Sequence, residues 1–199
     1  MAENRTTRII VVHGWMGTPT TDWMPWIKKM LTGKGVKVIV PKMPDTEHPN
    51  IDAWLSHLSK TIGKPDSNTF LIGHSIGGNA ILRYIQALPV GQKIGGAIIV
   101  ASWINRRKGR FASKARRQMM LPWFKEPIYW NKILKHTRNF IAVYSDNDPY
   151  VPRSAAQLLQ KRLGAKVVIA HYKWHFNMSK YPIILEGALA MIKAGKQKD

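Results

Sequence analysis

The residues best suited to covalent chemistry lie in Gly73-His74-Ser75-Ile76-Gly77. A serine here stands between two glycines, directly after the apolar run Thr69–Ile72 and directly before a helical pattern over Ile76–Leu88. That context separates a nucleophile elbow from a chance Gly-x-Ser-x-Gly match, because a sharp strand-to-helix turn needs neighbours without a Cβ and projects the hydroxyl above the strand ends. The plain alternative is a Gly/Ser turn with no chemistry. A helix starting at Ile76 also aims its positive end at the site, where it favours an oxyanion.

A serine hydroxyl is a weak nucleophile until a base removes its proton and an acid orients that base. On this architecture the partners follow in the order Ser, Asp or Glu, His, each after a later strand. The apolar run Phe140–Tyr144 ends in Ser145-Asp146-Asn147-Asp148-Pro149, which offers Asp146 and Asp148. The run Lys166–Ala170 leads into His171-Tyr172-Lys173-Trp174-His175-Phe176, which offers His171 and His175. Spacing alone leaves both choices open. The two histidines are four apart, but no cysteine or third ligand accompanies them and the stretch opens as a strand, so the metal reading is weak. No metal and no cofactor is expected. After the first apolar run comes Val12-His13-Gly14-Trp15-Met16-Gly17. The backbone amide of Trp15 is the expected second oxyanion donor, beside that of Ile76.

The elements that must position these groups are short, β-branched, near-continuous apolar runs, as in parallel strands buried on both faces. They are Arg8–Val12, Val36–Val40, Thr69–Ile72, Gly96–Val100, Phe140–Tyr144 and Lys166–Ala170. Helical patterns over Thr21–Leu31, Ile51–Thr61, Ile76–Leu88, Ile128–Lys135, Ser154–Leu163 and Pro182–Ala194 alternate with them. Asn50 and Ser154 are candidate N-caps, and Gly33 and Gly164 stand at helix ends. Strict alternation implies right-handed crossovers and a parallel sheet with helices on both faces. Trp23 and Trp26 are expected to pack a helix on that sheet rather than line a pocket.

A chain of 199 residues fits a single domain, residues 1–199. It has no cysteine, which excludes disulfides and thiol catalysis. No run reaches the ~20 apolar residues of a membrane span. A soluble, cytoplasmic protein is expected. The net charge is +20, from 31 Lys and Arg against 11 acidic residues. Part of it lies in a long insertion at about 102–126 that carries Arg106, Arg107, Arg116 and Arg117 between aromatic and methionine residues. Long insertions in compact domains are often lids. A basic, aromatic segment also suits nucleic acid or anionic lipid, so a non-catalytic binding protein on an enzyme scaffold is the alternative function.

Together the residues carry a family resemblance. "HGW" at 13–15, "DWMPWIKKML" at 22–31, "PKMPD" at 41–45, "AWLSHL" at 53–58, "IGHSIGGNAILRY" at 72–84, "SDNDPYVP" at 145–152 and "WHF" at 174–176 make the chain similar to the small α/β-hydrolases of the YdeN type, a family that also contains a retinoblastoma-binding serine hydrolase. The resemblance implies a compact α/β-hydrolase with about six parallel strands, esterase-like action on small esters, and a Ser-Asp-His triad. Its acid precedes the proline, which selects Asp148 over Asp146. Its base precedes Phe, which selects His175 over His171. His13, His74 and Trp174 are the candidate substrate contacts. The family usually has a small residue at position 174 and two adjacent acids before the proline, so Trp174 and Asn147 are departures.

Overall fold

A computed structural model describes residues 6–104 and 114–196. Arg106 and Arg107 lie outside the described residues.

The six apolar runs form one sheet of strands β1 (Arg8–Val12), β2 (Lys37–Ile39), β3 (Thr69–His74), β4 (Gly96–Val100), β5 (Phe140–Ser145) and β6 (Lys166–Ala170). Every neighbouring pair is parallel, in the order β2-β1-β3-β4-β5-β6. The chain winds outward from β1 to β2, then crosses back to β3 on the other side of β1. Its direction therefore reverses between β1 and β3, the place where parallel sheets open a crevice beyond their carboxyl ends.

Two apolar layers hold the sheet, and the period-2 alternation of the strands assigns residues to each. Ile9, Val11, Phe70, Ile72, Ile98 and Val100 face a core built with α1 (Met24–Thr32) and α7 (Pro182–Lys196). Ile10, Val12, Leu71, Ile99 and Ala142 face the other core, built with α2 (Ile51–Ile62), α3 (Ile76–Gln86), α4 (Lys114–Lys125), α5 (Trp130–Leu134) and α6 (Ser154–Leu163). Trp23 is fully buried in the first core and Trp26 packs against it, as expected of helix-to-sheet contacts.

Several boundaries differ from the sequence reading for identifiable reasons. β3 runs two residues further, because Gly73 and His74 still pair with Ile99 and Val100 of β4. α1 begins at Met24 with Pro25 in its first turn, where a missing amide hydrogen costs nothing. α3 stops at Gln86, since Pro89 disfavours helical backbone at Leu88. Asn50 does cap α2, accepting a 3.0 Å hydrogen bond from the Ala53 amide. Ser154 is not a cap but the first residue of α6. A turn at Pro152 leads in instead, with the Ala155 amide donating to the Pro152 carbonyl at 2.9 Å. Asn50→Ala is expected to cost about 1 kcal/mol of stability, read as a lower urea midpoint at unchanged slope.

The sequence reading gave the insertion no helix, because its cations and Pro122 obscure the pattern. Residues 114–125 nonetheless form α4, with Met120 and Trp123 buried. Arg83 explains the attachment. Its guanidinium is buried, with Nε donating to Asn79 Oδ1 at 2.7 Å and Nη2 donating to the carbonyls of Trp123 and Glu126 at 2.8 Å. One cation on α3 thus satisfies the carbonyl end of α4, where a positive charge is favoured. Arg117 lies exposed on α4. Of Arg116 only the backbone belongs to the description.

Candidate active site

The elbow is built as the glycines require. Ser75 adopts φ 52° and ψ −123°, outside the regions ordinary for an L-residue, and its amide donates to the Val100 carbonyl at 2.9 Å. A Cβ on Gly73 would lie 2.5 Å from the backbone of Gly78, and one on Gly77 would lie 2.5 Å from the carbonyl oxygens of Val12 and His13. Strand β3 and helix α3 therefore meet with no room for a side chain. The hydroxyl stands between them at the carboxyl end of the sheet, beside the β1–β3 reversal.

Two loops bring their side chains to that hydroxyl. His175 Nε2 lies 3.0 Å from Ser75 Oγ, and His175 Nδ1 lies 2.8 Å from Asp148 Oδ2. The Asp148 carboxylate is buried and also accepts the amides of Tyr150 and Val151 through Oδ1, at 2.8 and 3.0 Å. It is thereby fixed as an acceptor, which leaves Nδ1–H on the imidazole and a lone pair on Nε2 for the serine proton. The other pair takes a separate place: His171 Nδ1 meets Asp146 Oδ2 at 2.6 Å on the exposed side.

The loop carrying His175 is held in an unusual form. Tyr172, Trp174 and Phe176 have φ of 54°, 50° and 59°, each costing about 1–2 kcal/mol for an L-residue. Side chains at the end of β5 hold it there. The Tyr172 amide donates to Asp146 Oδ1 at 2.9 Å, that of Lys173 to Ser145 Oγ at 2.9 Å, and that of Trp174 to Asn147 Oδ1 at 2.8 Å. Asn147 thus acts as an acceptor beside the Ser145 hydroxyl, which donates to it at 2.8 Å.

Residues expected at the substrate are placed differently from one another. His74 is fully buried beneath the serine. Its Nε2–H donates to the His175 carbonyl at 2.7 Å, and the two rings lie 5.2 Å apart. Burial, reinforced by the neighbouring His175, pushes its pKa down to about 3. His13 is buried too, with Nδ1–H donating to the Gly14 carbonyl and Nε2 accepting the Met43 amide at 3.2 Å. Its ring is consumed in shaping the β1 loop. Trp174 points outward, 63% exposed. Neither His13 nor Trp174 is among the residues that line the cleft around Ser75.

That cleft holds about 260 Å³. Trp15, Trp103, Met120, Trp123, Phe124 and Tyr150 make its walls apolar. Three indole N–H groups are already spent on carbonyls: Trp15 on Glu47, Trp103 on Tyr150 and Trp123 on Pro49, at 2.8–2.9 Å. The Tyr150 and His175 rings meet nearly perpendicular, with their centres 5.2 Å apart. Sequence reasoning missed the polar corner of Asp22 and Asn177, whose amide donates to Asp22 Oδ2 at 3.3 Å. Burial raises the Asp22 pKa, partly offset by Asn177 and His175. The signal was available in their neighbours, since Asp22 opens the run at 22–31 and Asn177 directly follows Trp174-His175-Phe176.

Ile76 is the first residue of α3, so its amide has no acceptor within the helix. Trp15, on the loop after β1, lines the same cleft.

The neutrality of His74 has a consequence for stability. In the unfolded chain a histidine takes up a proton below about pH 6.5, whereas the folded protein withholds it until about pH 3. Stability is therefore full above the upper value and falls as pH drops through this window. His13, also lowered by burial, adds in the same sense. His74→Gln keeps a donor for the His175 carbonyl and removes the titration. Its urea midpoint is expected to fall less steeply than the parent's between about pH 7 and about pH 4; equal slopes would refute this account.

Known proteins share this frame. The chain is 29% identical over 186 residues to YdeN of Bacillus subtilis, described as a hydrolase, covering 91% of this chain and 94% of that one. It is 26% identical over 189 residues to the serine hydrolase RBBP9 of Rattus norvegicus, covering 94% and 96%. The crystal structure of the Bacillus subtilis ydeN gene product superposes with a TM-score of 0.85 over 94% of this chain and all of that one, at 26% identity. Est1E from Butyrivibrio proteoclasticus has the same fold at 14% identity, with a TM-score of 0.76 over 98% and 91% of the two chains. The family model for serine hydrolases matches residues 9–182, and with the six-stranded parallel α/β-hydrolase sheet it shows that the chain belongs to the serine hydrolase family.

Proposed function

We propose that the protein hydrolyses small carboxylic esters through an acyl-enzyme. His175 takes the proton of Ser75 as the hydroxyl attacks the ester carbonyl. Asp148 holds the imidazole in the tautomer that accepts and stabilises the imidazolium that results. The amides of Trp15 and Ile76 stabilise the oxyanion, each worth roughly 10²–10³ in rate. The imidazolium returns its proton to the leaving alcohol, and water activated by the same base then releases the acid. The observation that carries this reading is the continuous chain Ser75–His175–Asp148, with contacts of 3.0 and 2.8 Å. The small, apolar cleft supports uncharged esters as substrates, with α4 as part of a cap over the site. A fluorophosphonate probe is expected to label the wild-type protein at Ser75. A folded protein that resists the probe would remove the reading.

A further inference from the structure

Seven large apolar side chains are exposed among the described residues, and five of them stand on loops at the end of the sheet where the cleft opens. Met16 follows Trp15, Tyr150 itself lines the cleft, Tyr172 and Trp174 precede His175, and Met178 follows Asn177. All stand on loops after β1, β5 and β6, at one end of the sheet. Only Val90 and Tyr129 lie elsewhere. Apolar patches of this kind mark contact surfaces. Here the display is also strained: Met16, Tyr172 and Trp174 have positive φ, and the side chains of Asp146 and Asn147 hold the last two in place. The same strained backbone that seats His175 leaves a tyrosine and a tryptophan in water, 78% and 63% exposed.

The position of the rim selects its occupant. A folded partner seated on it would close the mouth of the cleft. A surface made of ester-bearing molecules would feed it. This choice rests on the ester hydrolysis proposed above. Charge agrees: Arg153, Lys173 and Lys180 flank Tyr150, Trp174 and Met178 on a chain of net charge +20, while Asp146 and Asp148 are turned onto their histidines. On the far side Met16 is bordered by Asp45 and Glu47, through the Met16 amide bond to the Thr46 carbonyl. The edge that enters first is therefore Tyr172–Trp174. Tyrosine and tryptophan suit a bilayer interface, with an apolar body and a polar tip. We propose that this rim docks the protein on an anionic lipid surface, with Tyr172 and Trp174 inserted at headgroup depth and the cleft opening toward the lipid.

The test uses Ser75→Ala, so that binding is read without turnover. It is pelleted with vesicles of phosphatidylcholine alone or mixed equally with phosphatidylglycerol. Preferential pelleting with the mixed vesicles is expected, together with quenching of tryptophan fluorescence by brominated lipid. Adding Tyr172→Asn and Trp174→Asn keeps a residue that tolerates positive φ. It is expected to lower the partition coefficient at least about tenfold and to remove most of the quenching. The conservative pair Tyr172→Phe and Trp174→Phe should retain the binding. No pelleting with mixed vesicles, equal pelleting with both kinds, or binding unaffected by the asparagine pair would overturn the proposal. The last result would transfer adsorption to cations elsewhere, such as Lys34, Lys37, Lys64, Arg138 and Lys166 at the other end of the sheet. Lipid binding by a wild-type protein that cleaves no ester and takes no fluorophosphonate would count against the proposed function while leaving the docking surface standing.

Discussion

Ser75→Ala is expected to lower kcat/KM for p-nitrophenyl esters by about 10⁴–10⁶ while leaving thermal stability nearly unchanged. The first half follows from geometry. The hydroxyl is the one group placed 3.0 Å from His175 Nε2, and without it the imidazole has no nucleophile to activate. Water attacking the ester bound in the cleft would supply the residual rate. The second half follows from the backbone. The strained conformation of residue 75 belongs to the turn itself, and its amide bond to Val100 survives the change. His175→Ala should cost a similar factor, and the double variant little more, because the two groups act as one device. A loss of less than about tenfold for the single serine variant would remove Ser75 from the reaction.

Gly73→Ala should cost roughly 3 kcal/mol or more of stability. The new methyl would lie 2.5 Å from Gly78 Cα and N and 2.7 Å from Gly77 C, all backbone atoms of α3. Nothing there can swing aside, so the helix must lift from the sheet. Activity should fall further than the lost stability accounts for, since Ser75 and the Ile76 amide ride on the displaced turn. Gly33→Ala is the control. Its φ is −62°, and a Cβ there meets only ordinary contacts of 3.5 Å, so the change should be neutral or mildly stabilising. Urea midpoints of the two variants check the contrast; equal effects would mean that the close approach at Gly73 is unimportant.

Much of this frame is legible in the sequence because burial on both faces leaves the strands apolar throughout. The runs at Arg8–Val12, Gly96–Val100 and Lys166–Ala170 match the strands residue for residue. The elbow is legible for a similar reason, since glycines at 73 and 77 have a steric cause that residue types express directly. The choice of Asp148 and His175 came from family resemblance, because Asp146 and His171 have the same residue types at equivalent strand ends. Only three dimensions separate an exposed pair from one that reaches Ser75. What stayed hidden depends on partners distant in sequence. α4 owes its seat to Arg83, some forty residues before it, and no local pattern announces a buried cation that binds carbonyls. His74 and His13 read as substrate contacts because they flank functional residues. The structure places His74 in the cleft lining with its Nε2 on the His175 carbonyl, and His13 outside that lining on the Met43 amide.

The bonds from Ser145, Asp146 and Asn147 to the amides of residues 172–174 tie the loop that carries Asp148 to the loop that carries His175. Asp148 and His175 therefore sit on a single mechanical unit anchored on neighbouring strands β5 and β6. α4 is seated by a different element, through Arg83 on α3. The segment after β4 is nonetheless joined to that unit: the Trp103 indole donates to the Tyr150 carbonyl at 2.9 Å, so a change there reaches the turn that fixes the Asp148 carboxylate and, through it, the distance from His175 to Ser75.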